Sequence, residues 1–288
     1  TAWLQGRSDA AYRNQKPLRL RGEATIAADR IGLDGMKAEI NGGAIDGRLA
    51  LLTTDEGKTR FEASLTAASL DVDAMSSLAA VLAGPQATLP DEARIALDAG
   101  RAVIAGQDVK PVGLTLGYGP KIIALERIQI GEAGSDLAIT GTGSFDRIDG
   151  KGKLSLDAAA PSLARIGGLV APFAPAVAER LNALSGLGPV KTRLSVDVAR
   201  DRSRANGRAV LDIDAAQMKG AITLTAAPAI DIVTGSNLAA LNGTDVSADV
   251  KLSADNASNL VQALGLANVV SAGDRPAQFE ASASGAWG

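Results

Sequence analysis

The side chains best suited to chemistry in this chain are carboxylates and arginines, because it contains no histidine and no cysteine. Ser-His-Asp triads, His-ligated zinc and thiolate sites therefore cannot be assembled from these residues. Asp71 and Asp73 are a close carboxylate pair, but they fall at the start of a helix predicted over 71–83. There they read as cap and dipole partners rather than as an acid and a base. The stretch FDRIDGKGK (145–153) places Asp146, Asp149 and Gly150 in loose imitation of a calcium loop. It lacks the later ligands and the closing Glu of such a loop, so a hairpin turn is predicted. GTGSF (141–145) opens no helix, and GLGPVK (186–191) lacks the spacing of a phosphate-binding loop. With no catalytic constellation, no metal site and no cofactor motif, the chain is expected not to be an enzyme.

The elements that would position any site come next. Residues 245–254, DVSADVKLSA, alternate strictly: Val246, Ala248, Val250, Leu252 and Ala254 on one side, polar residues on the other. The same period of two returns at Leu18–Ala28, Phe61–Ala67, Val112–Tyr118, Val190–Val198, Ala209–Ile213 and Ala277–Ala283, the pattern of half-buried antiparallel strands. Gly-containing pairs punctuate it: Asp34-Gly35, Asn41-Gly42, Asp149-Gly150, Asn206-Gly207 and Asn242-Gly243 are expected to make tight hairpins, with longer turns at Glu56-Gly57 and Gly119-Pro120. The chain is predicted to be mainly β, an antiparallel meander of roughly fourteen to sixteen strands. Three short helices are expected, at 71–83, at 162–184 broken at its prolines, and at 256–270. Asp255 or Asn256 should cap the last, and Gly84-Pro85 should end the first.

The longest apolar stretch, IGGLVAPFAPAVA (166–178), is shorter than the roughly 20 residues that span a bilayer, and Pro172 and Pro175 interrupt it. Net charge is −3 and the two signs are interspersed, with four Phe, two Trp and two Tyr in all. A nucleic-acid binder would need a basic stripe and stacking aromatics, so nucleic acid is excluded as a partner. Starting at Thr1, the chain reads as an internal segment of a longer protein. Strands ending Leu-x-Ala (Leu65–Ala67, Leu156–Ala158, Leu252–Ala254) recur at intervals of about 90 residues, each followed by a helical segment. The expected organisation is an irregular segment 1–17 and three strands-then-helix units, 18–84, 85–186 and 187–288, with looser joins at 84–92 and 271–276.

Two stretches carry a family likeness: NGGAIDGRLALLTTDEGKTRFEASLTAASLDVDAMSSLAAVL (41–82) and RAVIAGQDVKPVGLTLGYGPKIIALERIQIGEAGSDLAITGTGSF (101–145). Both resemble the AsmA family of bacterial envelope proteins, relatives of TamB. Gly42, Gly43 and Gly47 match that family's glycine-rich β segment, and Leu70, Asp73, Ser77, Leu78 and Leu82 approximate its following helix. The resemblance implies a periplasmic protein, anchored in the inner membrane through parts outside this segment, whose repeating β region forms an open apolar groove. It implies phospholipid acyl chains as cargo, transfer between the membranes in support of outer-membrane biogenesis, and no catalytic residues.

The residues alone leave the alternating faces as either the core of an open sandwich or the lining of an elongated groove. A sheet this long must curl or split, and a 16-carbon acyl chain buried in a trough gains on the order of 12 kcal/mol. The predicted lining is Leu114, Leu116, Leu154, Leu156, Leu194, Val196, Val198, Val246, Val250 and Leu252. The arginines at 200, 202, 204 and 208, and the cations at 7, 13, 16, 19 and 21, are either solvated turns or contacts for anionic headgroups or a protein. Two other functions stand beside lipid transfer: a chaperone-like module assisting outer-membrane assembly proteins through its sheet edges, and an extracellular adhesin or stalk.

Overall fold

In a computed structural model the protein is described for residues 19–40, 43–54, 56–73, 75, 90–171, 175–183, 188–201, 204–215, 217–227, 244–266 and 269–286. The expected irregular segment 1–17, most of the helix at 71–83 with its Gly84-Pro85 stop, and the Asn41-Gly42 and Asn242-Gly243 turns lie outside the described residues.

The chain begins with β1 (Arg19–Ile26), β2 (Arg30–Ile40), β3 (Gly43–Thr53), β4 (Thr59–Ala67) and the short β5 (Leu70–Asp71). It continues with β6 (Glu92–Ala99), β7 (Ala102–Ile104), β8 (Gln107–Val109), β9 (Val112–Tyr118), β10 (Ile122–Ile130), β11 (Ala138–Asp146) and β12 (Lys151–Ala160). Helices α1 (Leu163–Val170) and α2 (Pro175–Ala183) precede β13 (Val190–Asp201), β14 (Arg204–Ala215), β15 (Met218–Ala226) and β16 (Asp245–Ala254). Helix α3 (Ala257–Ala263) and β17 (Ala277–Ala286) complete the described chain.

Fourteen of these strands form one open sheet, ordered β1-β2-β3-β4-β6-β9-β10-β11-β12-β13-β14-β15-β16-β17. At about 4.8 Å per step the sheet runs roughly 60 Å between its edges. It is not closed: among the described residues β1 and β17 each pair on one side. The mainly β, antiparallel reading therefore holds, with one exception to the meander. Strand β6 lies parallel to β4, because the chain leaves the sheet after Ala67 and re-enters beside the strand it left. Parallel neighbours need such a crossover; a tight hairpin cannot supply it. The excursion includes β5, which joins β7 and β8 in a separate three-stranded sheet.

Helices are described at two of the three expected places, not three. The segment at 162–184 holds α1 and α2, the second beginning at Pro175, a first-turn position where the missing N–H costs no hydrogen bond. Asn256 caps α3, its side chain accepting from the Ser258 N–H at 2.7 Å. Two expected hairpins prove to be strand interior. Gly35, at φ +56°, sits within β2 at a register shift between Leu33 and Met36, so Asp34-Gly35 makes a glycine bulge. Asn206 and Gly207 pair with Ala199 and Val198 inside β14. Asp149-Gly150, by contrast, is a turn, with Gly150 at φ +60°.

The buried core is gathered at one end of the sheet. Ile45, Ala67, Ala99, Val112, Val190, Ala215, Met218 and Ala254 meet Leu163 and Leu169 of α1, Leu260 of α3, and Leu70, Ala102 and Val109 of the small sheet. Polar contacts lace this cap together. Gln107 donates to the Arg165 carbonyl at 3.2 Å and accepts from the Arg165 guanidinium at 3.0 Å. The Asp73 carboxylate accepts from the N–H groups of Ala105 and Gly106 at 3.0 and 2.8 Å, so it steadies the β7–β8 turn.

A candidate apolar binding face

In a strand, alternate residues face opposite sides, and residues paired across strands share a face. Followed through the pairings, one face of the large sheet is apolar from β2 to β17. One row runs Met36, Gly47, Leu65, Leu97, Leu114, Ile128, Gly141, Leu156, Leu194, Leu211, Ile222, Val250 and Ala281. The next, farther from the cap, contains Leu33, Leu49, Ile95, Leu116, Leu125, Leu154, Val196 and Leu224. The last contains Ile31, Leu51, Phe61, Tyr118, Ile123, Phe145, Val198 and Val246. No charged residue interrupts any of the three rows.

All ten residues singled out in the sequence lie on this face. Leu252 lies one row closer to the cap than Val250, opposite Gly220, and is buried; the other nine are half-buried. A side chain in the middle of a two-layer core is normally fully buried. Here Leu114, Leu116, Leu154, Leu156, Leu194 and Val196 are screened by neighbours within their own sheet and remain partly open to solvent. Exposure rises away from the cap, from 2% at Ile45 to 39% at Leu51 and 57% at Ile31. Among the described residues the face is therefore plugged at one end and opens towards the other along β2 and β3, whereas Ala205, at the far end of β14, is buried.

Several lining residues escaped the sequence reading. Ile95 and Leu97 of β6 and Ile222 and Leu224 of β15 alternate like the rest, so their signal was present. Leu125 and Ile128 of β10 were harder to place, because a bulge at Glu126 and Arg127 spaces two residues of one face three apart. Glycines shape the surface as well. A Cβ on Gly141 would lie 2.3 Å from the Leu156 side chain, and one on Gly152 would lie 2.6 Å from the Phe145 ring. Both large side chains thus fold down over a bare backbone, the arrangement by which a sheet can bend without leaving a hole.

The opposite face is polar and internally paired. Arg193 meets Asp157 at 2.7 Å, Arg60 meets Glu92 at 2.7 Å, and Arg94 approaches Glu126 at 3.4 Å. Lys153 with Asp197 and Lys251 with Glu280 are looser, at 3.9 Å each. These cross-strand pairs favour the observed register and contribute little individually, being exposed. Asp146 is engaged in a hairpin turn, accepting from the N–H groups of Ile148 and Asp149 at 2.9 and 2.8 Å. Among the described residues no cluster of three acidic side chains could hold a metal ion. Searches against family models, curated proteins and solved structures find no match to this chain.

Proposed function

We propose that the chain is a lipid-carrying segment of an AsmA-like envelope protein. In this reading it is periplasmic, and the uncovered apolar face is a groove for phospholipid acyl chains. The observation that carries the reading is the set of continuous apolar rows, more than ten strands wide, over which the described residues place no second layer beyond the cap. Leaving that much hydrocarbon in water is costly at about 25 cal/mol per Å², and contiguous apolar patches of this extent mark a surface with a partner. Acyl chains suit it because the rows offer no polar group for recognition and form a path without internal barriers. The headgroups would remain in water at the margins, and no chemistry would be performed.

The test is mass spectrometry of organic extracts from the protein purified from bacterial periplasm without detergent. Stoichiometric phospholipid in the wild type, absent from a folded L116D/V196D/V250D variant, is the expected result. Equal lipid in both would remove these residues from the lining. A lipid-free wild type would leave the module that pairs with β-strands through its edges. That second reading has its own support: among the described residues β1 and β17 each pair on one side alone, and β17 is exposed along nearly its whole length.

A further inference from the structure

At the end opposite the cap, the sheet finishes in a set of hairpin tips that combine apolar, aromatic and cationic side chains. Five of the large exposed apolar residues lie there: Ile26, Ile31, Leu51, Ile122 and Ile148, with Ile148 at 59% and Ile122 at 51% exposure. Ile122 sits on the opposite face from Tyr118, since Tyr118 pairs with Ile123. The edge is therefore apolar on both sides there. Three of the four aromatics among the described residues, Phe61, Tyr118 and Phe145, fall in the last row.

The central tips are tied to one another. The Arg147 N–H donates to the Lys121 carbonyl at 2.7 Å, and its guanidinium reaches the Tyr118 hydroxyl at 3.4 Å and stands 5.7 Å from the ring centre. Arg200 donates to the Ile148 carbonyl at 3.4 Å. Lys121, Arg147, Lys151 and Arg200 thus belong to the linked turns and strand ends that carry Ile122 and Ile148. The carboxylates at these turns are Asp146, held by backbone N–H groups, Asp149, 3.9 Å from Lys151, and Asp201, next to Arg200 in the β13–β14 hairpin.

We infer that this edge docks on the surface of a lipid bilayer bearing anionic headgroups, with Ile122 and Ile148 entering the interface and the four cations meeting phosphates. Apolar tips on turns that also carry cations, with a tyrosine at their base, match the layering of a membrane interface, where aromatic rings with a polar end settle at headgroup depth. A second copy of the chain fits less well, because a twofold contact would set the four cations against themselves. The inference deepens the lipid-carrying reading and rests on it for its purpose: the open end of the apolar face would be delivered to the bilayer.

The test is co-sedimentation of the intact chain with vesicles of phosphatidylcholine alone or mixed with phosphatidylglycerol. Wild type should favour the anionic vesicles by about tenfold or more. I122S/I148S should weaken that binding about tenfold, and K121E/R200E should abolish the preference for the anionic vesicles. L266S/V269S, altering exposed apolar residues beyond α3 at the capped end, should bind as wild type does. Circular dichroism and retained lipid would show that the tip variants are folded. Equal binding to both vesicles, unaltered binding by the tip variants, or self-association abolished by Ile148→Ser would overturn the proposal. The two readings separate cleanly. Protein that carries lipid but ignores vesicles loses the docking edge alone. Protein that binds vesicles but carries no lipid loses the groove.

Discussion

The two ends of the same sheet are built from the same alternating strands and reach opposite outcomes. At the capped end, short apolar residues such as Ala67, Ala99 and Ala215 are roofed by α1, α3 and the three-stranded sheet. Beyond it, longer ones such as Leu114, Leu154 and Leu194 are half-buried and stand outside the buried cluster that the described residues form. The difference teaches that an apolar strand face is a demand for cover rather than a description of a core. Where the chain supplies a helix, the demand is met internally; elsewhere it is left for something else.

Equal substitutions at the two ends break or sharpen this contrast. Val190, 1% exposed, pairs with Ala160 and Ala215 inside the cap. Val190→Asp should cost about 4 kcal/mol in urea melts, because the carboxylate has no route to water. Val196→Asp should cost less than half as much, since a half-buried side chain can swing its charge outward. Equal losses would mean that the middle of the face is closed.

Truncation should show the same ratio at smaller scale. Leu260→Ala removes the α3 anchor and leaves a cavity, worth about 3 kcal/mol. Leu116→Ala leaves an open depression and should cost about 1 kcal/mol, the transfer term alone. Asp73→Ala deletes the acceptor of two N–H groups in the cap and should cost about 1–2 kcal/mol. On the polar face, Arg193→Ala should change stability by no more than about 0.5 kcal/mol, as expected for an exposed pair.

The smallest effect is a pH dependence. Hydrogen bonds from Thr59, first from its N–H at 2.8 Å, hold the Asp91 carboxyl below its ordinary range. A group whose pKa is depressed by folding contributes stability above its unfolded pKa and loses it as pH falls through the folded value. The gap between wild type and Asp91→Asn should therefore be present at neutral pH and close on acidification, as followed by the urea midpoint at several pH values. A gap independent of pH would remove the charge from the account.

Much of the arrangement was legible because it is local. Period two in Val112–Tyr118 or Asp245–Ala254 assigns each side chain to a face before any partner strand is known. The ten residues named from that pattern share one face for this reason. The misreadings have an equally physical source. Asp34-Gly35 and Asn206-Gly207 have the composition of hairpin turns, yet a glycine at positive φ serves a bulge as well as a turn, and Asn-Gly tolerates a strand when both neighbours are paired. The parallel entry of β6 beside β4, and the separate β5-β7-β8 sheet, depend on a crossover whose two ends are distant in sequence.

By itself the sequence determined that this protein is a β chain with one apolar and one polar face, without histidine or cysteine chemistry. Those properties follow from residue type and from a spacing of two. Only the tertiary structure decided that the sheet stays open, that its helices and second sheet gather at one end, and that the apolar tips lie with Lys121, Arg147 and Arg200 at the other. Each of these depends on which strand pairs with which, and at what register. Pairing is fixed by contacts between segments far apart along the chain, which a local pattern does not encode.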